Sequence, residues 1–245
     1  MNSSCELQAV LVSADPSVVG PMSECLGELG INAMVHAQSS AIDLLAKHKV
    51  DAFFVDQELD PEFSVIKEVR KSSSSRSAVT FAIVPGSDGA RTGLRVADFV
   101  TDKPILRDHL RRSLRASYGI MLKERRRYTR YALTCEGTLQ DSTARRFPAC
   151  TTNISQTGLA VECAAPLIEG EEVQVQFQLP HSPDFSKFKA QVIWTAANAK
   201  VGLAFTRMNS ADRERLTEWI DGEFLRQWHP FIPADVAERF MHAVR

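Results

Sequence analysis

Over the first half of the chain, hydrophobic residues arrive in short unbroken runs separated by stretches of helical spacing. The runs Ala9-Val10-Leu11-Val12, Asn32-Ala33-Met34-Val35 and Ala52-Phe53-Phe54-Val55, with those at 79–84 and 98–100, predict five strands. The third is apolar throughout, as a sheet covered on both faces requires. Asp15-Pro16 opens a helix through Val18, Met22, Cys25, Leu26 and Leu29 that Gly30 stops. A second helix is predicted at 40–47, with Ile42, Leu44 and Leu45 inward, and a third at 63–71. Leu106, Leu110, Leu114 and Tyr118 then recur every fourth residue, marking a last amphipathic helix. After Gly119 no Gly or Pro stops that helix before the arginines that follow. This alternation predicts a doubly wound, five-stranded parallel α/β domain over residues 1–118.

From Tyr131 the period falls to two. Strands are predicted at 131–140, 147–152, 159–163, 173–179, 188–196 and 201–206, clearest in Val173, Val175, Phe177 and Leu179. Six short antiparallel strands suggest a β-barrel, which removes exposed edges. Trp194 and Phe205, at strand positions, read as core. Ser210 is the expected cap of a helix with Leu216, Trp219, Ile220 and Phe224 on one face. Pro230 and Pro233 break the chain before a short terminal helix at 234–244. The expected organisation is 1–118, a basic linker at 119–131, a barrel and helix at 132–222, and a C-terminal helical extension at 223–245.

Composition narrows the function. The chain has 245 residues and a net charge of −1, which argues against a nucleic-acid binder. No apolar run is long enough to span a bilayer and no secretory leader is evident, so a cytoplasmic protein without membrane insertion is expected. Five cysteines in no C-x-x-C pair support neither a zinc site nor a disulfide framework. The histidines are scattered singly, and no Ser/His/Asp set or phosphate-binding glycine loop stands out. No enzyme activity, catalytic residue, metal or cofactor is expected.

Charge is local instead. Five of the eight residues in Lys123-Glu124-Arg125-Arg126-Arg127-Tyr128-Thr129-Arg130 are basic. Alone, such a run reads as a solvated linker. Arg126 and Arg130, however, stand four apart, and guanidinium groups match phosphate oxygens and guanine edges. Downstream, Asn153-Ile154-Ser155-Gln156-Thr157-Gly158 reads as a polar turn offering an amide, a hydroxyl and a glycine. These two motifs, with Gly202-Leu203-Ala204-Phe205 at the late strand, resemble the PilZ family over about residues 123–222. The resemblance implies a small barrel that binds the bacterial second messenger cyclic di-GMP. Arg126 and Arg130 would grip phosphate and guanine, Asn153 and Ser155 would meet base edges, and Gly158 would permit the turn. Arg125 and Arg127 would add long-range attraction. Asn153 stands where Asp is the commoner choice, which implies weaker binding, because an amide offers one acceptor atom.

Residues 5–118 resemble the receiver domain of two-component response regulators. Asp56 falls on the phospho-acceptor position and Lys103-Pro104 on the family's Lys-Pro. The acidic pair that would hold Mg²⁺ is replaced by Ser13 and Ala14, leaving only the neighbouring Asp15. The hydroxyl expected after the fourth strand is missing from Ile83-Val84-Pro85. The implied domain is a pseudo-receiver, with Asp56 and Lys103 vestigial. The expected protein is a bacterial signalling adaptor that binds cyclic di-GMP and transmits binding through domain rearrangement, a further protein partner or a homodimer. The rivals are a phosphorelay receiver with a PilZ output and a nucleotide-independent PilZ interaction adaptor. Arg126 and Arg130 count against the second of these.

Overall fold

The computed structural model describes residues 6–45, 49–72, 74–86 and 96–228, so the terminal helix expected at 234–244 lies outside the described residues. Two compact units divide between Arg125 and Arg126, the second running to Gln227. Among the described residues no helix is long and apolar enough to cross a membrane.

The first unit is a parallel sheet of β1 (Leu7–Val12), β2 (Ile31–Val35), β3 (Ala52–Asp56), β4 (Val79–Pro85) and β5 (Phe99–Lys103), in the order β2-β1-β3-β4-β5. Helices α1 (Pro16–Glu28), α2 (Gln38–Leu45), α3 (Ser64–Lys71) and α4 (Arg107–Tyr128) accompany it. Alternate residues serve opposite faces. Val10, Val12, Phe53, Val55, Ala82 and Val84 join Ala41 of α2 and Val65, Ile66 and Val69 of α3 in one core. On the other face Phe54, Phe81 and Phe99, in register across three strands, stack with centroids 4.4 and 4.9 Å apart. Helices α1 and α4 lie side by side, since Arg111 grips both carboxylate oxygens of Glu28 and Arg107 pairs with Glu24. The uninterrupted sequence after Gly119 does continue the helix. Met121 and Leu122 are buried, so residues 119–128 of the expected basic linker are the last turns of α4.

The second unit closes a ring of six strands: β8 (Arg146–Ser155), β7 (Glu136–Gln140), β10 (Glu172–Gln178), β11 (Phe185–Thr195), β12 (Lys200–Arg207) and β9 (Gly158–Glu162), which returns to β8. The strand predicted at 131–140 is broken. Tyr131–Ala132 (β6) pairs with the end of β8, and Thr151 stitches the gap by donating its hydroxyl to Leu133 O and accepting from Cys135 N. Helix α5 (Ser210–Trp228) buries Leu216, Ile220 and Phe224. Its side-chain cap is Asn209, one residue before the expected Ser210; Asn209 Oδ1 accepts from Asp212 N at 2.7 Å.

Closure leaves no room at Gly158. A Cβ there would fall 2.1 Å from Leu203 O and 3.2 Å from Ala204 Cα, both backbone atoms of β12. The glycine is required by this approach rather than by a positive φ, which Gly158 does not adopt. Gly158→Ala should therefore destabilise the protein by about 1–3 kcal/mol, as overpacking does. Gly222→Ala, in open space on α5, should gain up to about 1 kcal/mol. Chemical denaturation of the two variants checks the contrast.

Candidate functional site

The segment Asn153 to Gly158 is a hairpin rather than a polar turn. Asn153 and Ser155 are strand residues of β8, Ser155 pairs with Gly158, and only Gln156 and Thr157 make the connection. Being two apart, Asn153 and Ser155 share one face. Ile154, Leu159 and Leu203 point into the core, so their neighbours Asn153, Ala160 and Gly202 point outward. The Ser155 hydroxyl is buried and donates to Gly158 O at 3.1 Å, which pins the hairpin.

The outward row continues onto β11. Val192 pairs with Leu203, but Trp194 pairs with Gly202, so Ile193 is an extra residue. This bulge turns Trp194 outward. Its indole occupies the space of the missing side chain: a Cβ on Gly202 would lie 2.1 Å from Nε1. Trp194 is 38% exposed and is not the core residue its strand position suggested. Phe205 does sit against the core ring of Phe188, 4.8 Å between centroids. One register line thus runs Trp194, Gly202, Ala160, Asn153: an aromatic plate, two small residues and an amide.

The basic run does not act as one patch. Exposed Arg130 donates from Nη1 to Asn153 Oδ1 at 3.3 Å, bringing the two motifs together. Exposed Arg127 lies over the Tyr128 ring, 5.7 Å from its centroid. Arg126 is paired with Asp221 of α5 at 2.5 Å, with only 11% and 9% of the two side chains exposed. Burial pushes the Asp221 carboxyl up, and Arg126 opposes this. Arg125 is turned into the first unit, where it donates to Asp51 Oδ2 at 3.2 Å beside the Gln8 amide. The structure therefore gathers Arg130 and Asn153, with Ser155 beneath them. It pairs Arg126 of α4 with Asp221 of α5, and Arg125 with Asp51 of the first unit. The sequence reading missed Asp221, although an acid beside Ile220 in the apolar stripe of α5 was a visible signal.

In the first unit, Asp56 ends β3, buried and engaged at both carboxylate oxygens. Its Oδ2 accepts from Ser13 Oγ at 2.7 Å and faces Lys103 Nζ at 2.9 Å, and its Oδ1 accepts from Glu58 N at 3.1 Å. Asp15, Asp56 and Glu58 bring carboxylate oxygens within 4.8 Å of one another, so Glu58 adds an oxygen group that the sequence reading had not counted. A Mg²⁺ ion, expected from the resemblance to receivers, would find these oxygens already engaged. The Lys103 ammonium already sits among the three carboxylates, at 2.5 Å from Glu58 and 3.4 Å from Asp15. Asp15 Oδ1 is also engaged by Ser17 N and Oγ at the start of α1. Burial pulls Lys103 down, but bonds to Glu58 and Asp56 and the nearby charges outweigh it and push its pKa up to about 12. A second cation would compete with this ammonium for the same oxygens.

Residues 124–222 match the family model described as the PilZ domain, and the N-terminal unit is receiver-like in its fold. No curated protein matches the chain. Among solved structures, the chain is similar to the receiver domain of sensor histidine kinase PA1611 from Pseudomonas aeruginosa, described with a magnesium ion in its active-site cleft. The identity is 22%, over 45% of this chain and 96% of that one, with a TM-score of 0.41. It is also similar to the PilZ domain of CeSA from a cellulose-synthesizing bacterium (16% identity, 38% and 96% covered, TM-score 0.33). A third likeness is to the Bacillus subtilis inhibitor of motility MotI/DgrA (20% identity, 42% and 52% covered, TM-score 0.36).

Two expectations follow from the ion pairs. Arg126→Ala leaves Asp221 buried without its guanidinium and should cost about 3–5 kcal/mol of stability. Arg130→Ala, at an exposed site, should cost under about 1 kcal/mol; denaturant midpoints separate the two. Asp56 should take no stable phosphoryl group from acetyl phosphate and Mg²⁺. Intact mass checks this, and a gain that vanishes in Asp56→Asn would count against it.

Proposed function

We propose that this protein is a non-catalytic, cytoplasmic receptor for cyclic di-GMP, which binds on the outer wall of the barrel. The observation that carries the reading is the bond between Arg130 and Asn153 at one end of a register line whose other end is the exposed Trp194 indole. A guanidinium meets phosphate or the O6/N7 edge of guanine, an amide meets base-edge donors, and an indole face stacks a base. Gly202 and Ala160 keep the wall between them low. These are the parts a cyclic dinucleotide needs within one span, and Arg127 adds a cation beside them. Gly158 and Ser155 support the site from beneath by holding the hairpin that presents Asn153.

Binding is passed on through α4. That helix carries the first signature arginine at its end and Arg125, one residue earlier, in the receiver-like unit. The first unit, its acidic cluster occupied by Lys103, serves as a docking surface for a protein partner or a second copy rather than as a phosphorelay station.

Titration calorimetry with cyclic di-GMP tests the reading. Arg130→Ala and Trp194→Ala should each weaken binding by about tenfold or more, the scale of one lost stacked base or charged contact. Tryptophan fluorescence should change on binding in the wild type, and that change should shrink in Trp194→Ala. Wild-type affinity weaker than about millimolar, or full affinity in both variants, would rule the reading out.

A further inference from the structure

The two signature arginines are held in very different ways. Arg130 is exposed and rests on a neutral amide at 3.3 Å. Arg126 is tied at 2.5 Å to a carboxylate that is itself buried, on a helix whose Leu216, Ile220 and Phe224 are core. The same helix sets Trp219 edge-on against the Tyr131 ring, five residues past Arg126, with centroids 6.2 Å apart. A carboxylate and a phosphodiester present the same thing to a guanidinium: a negative group with two oxygens that accept its N–H bonds. Asp221 therefore occupies Arg126 as a ligand phosphate would.

We propose that Asp221 is an internal competitor that sets the cyclic di-GMP concentration to which the barrel responds. The proposal rests on the nucleotide reading above and concerns the regulation of that same site. For Arg126 to grip the nucleotide, it must leave Asp221. The abandoned carboxylate is then left in a poorly solvated position, next to the incoming negative charge. Both effects oppose binding; when residue 221 is neutral the charge repulsion vanishes and the burial cost shrinks. Arg130 carries no comparable cost, because giving up an exposed amide loses little. Arg130 thus makes the first contact, and Arg126 is won from Asp221 only as the ligand seats.

The test is calorimetry on the full chain with cyclic di-GMP, comparing wild type, Asp221→Asn and Glu223→Gln. The asparagine keeps the shape and one acceptor for Arg126 but removes the competing charge. Glu223 is an acid two residues away that pairs with Arg226, so its variant controls for a general change of field. Asp221→Asn should bind about tenfold tighter or more, and Glu223→Gln should stay within about twofold. Side-chain ¹⁵N spectra of the wild type give a second readout that needs no stable variant: the Arg126 guanidinium signal, assigned by its loss in Arg126→Lys, should move on saturation. Wild-type binding with unchanged or weaker affinity in Asp221→Asn, or an Arg126 signal that stays put at saturation, overturns the competitor role and leaves the receptor reading standing. If neither wild type nor Asp221→Asn binds, the competitor role falls together with the receptor reading.

Discussion

Barrel closure rests on one backbone-to-backbone approach, where β12 passes so close to β9 at Gly158 that no side chain fits between them. Much else in the second unit depends on that contact. It fixes the register of β12 against β9, and the β8–β9 hairpin fixes β9 against β8. Side chains alternate strictly along a strand, so this register decides which residues reach the outer wall. A slip of one residue would send Asn153 inward and Ile154 out. The short hairpin, the buried Ser155 hydroxyl and the glycine therefore form the frame of the proposed site. Within this frame the exposed chemistry is left to Arg130, Asn153 and Trp194.

The basic segment shows how a run of like charge is sorted by a helix. Successive residues of α4 project in directions about a quarter-turn apart, so neighbours cannot share a partner. Arg125 finds buried Asp51 in one unit, and Arg126 finds buried Asp221 in the other. Buried pairs of this kind add little net stability compared with an apolar contact, yet breaking one is costly because a charge is stranded. That cost makes any change of partner at Arg126 a discrete event. The first unit uses the same principle at Lys103, whose single ammonium bridges Asp15, Asp56 and Glu58 at the end of the sheet.

Local periodicity carried the outline of both units. Unbroken apolar runs between helical stretches announced the parallel sheet, period-two alternation announced the barrel, and the absence of a breaker after Gly119 announced the long helix. Motif spacing singled out Arg126, Arg130, Asn153, Ser155 and Gly158, and the fold joins Arg130 to Asn153. Local pattern could not supply partners. The acceptor of Arg126 lies 95 residues away, that of Arg125 lies 74 away, and the hydroxyl on Asp56 comes from 43 away. Only the fold brings these groups within bonding distance. The bulge at Ile193 is a second such case: it is a matter of pairing between strands, so alternation read along β11 alone put Trp194 inside. The tertiary structure turned it out, because an extra residue in one strand reverses the phase of everything after it, and the missing side chain of Gly202 gave the indole a place to lie.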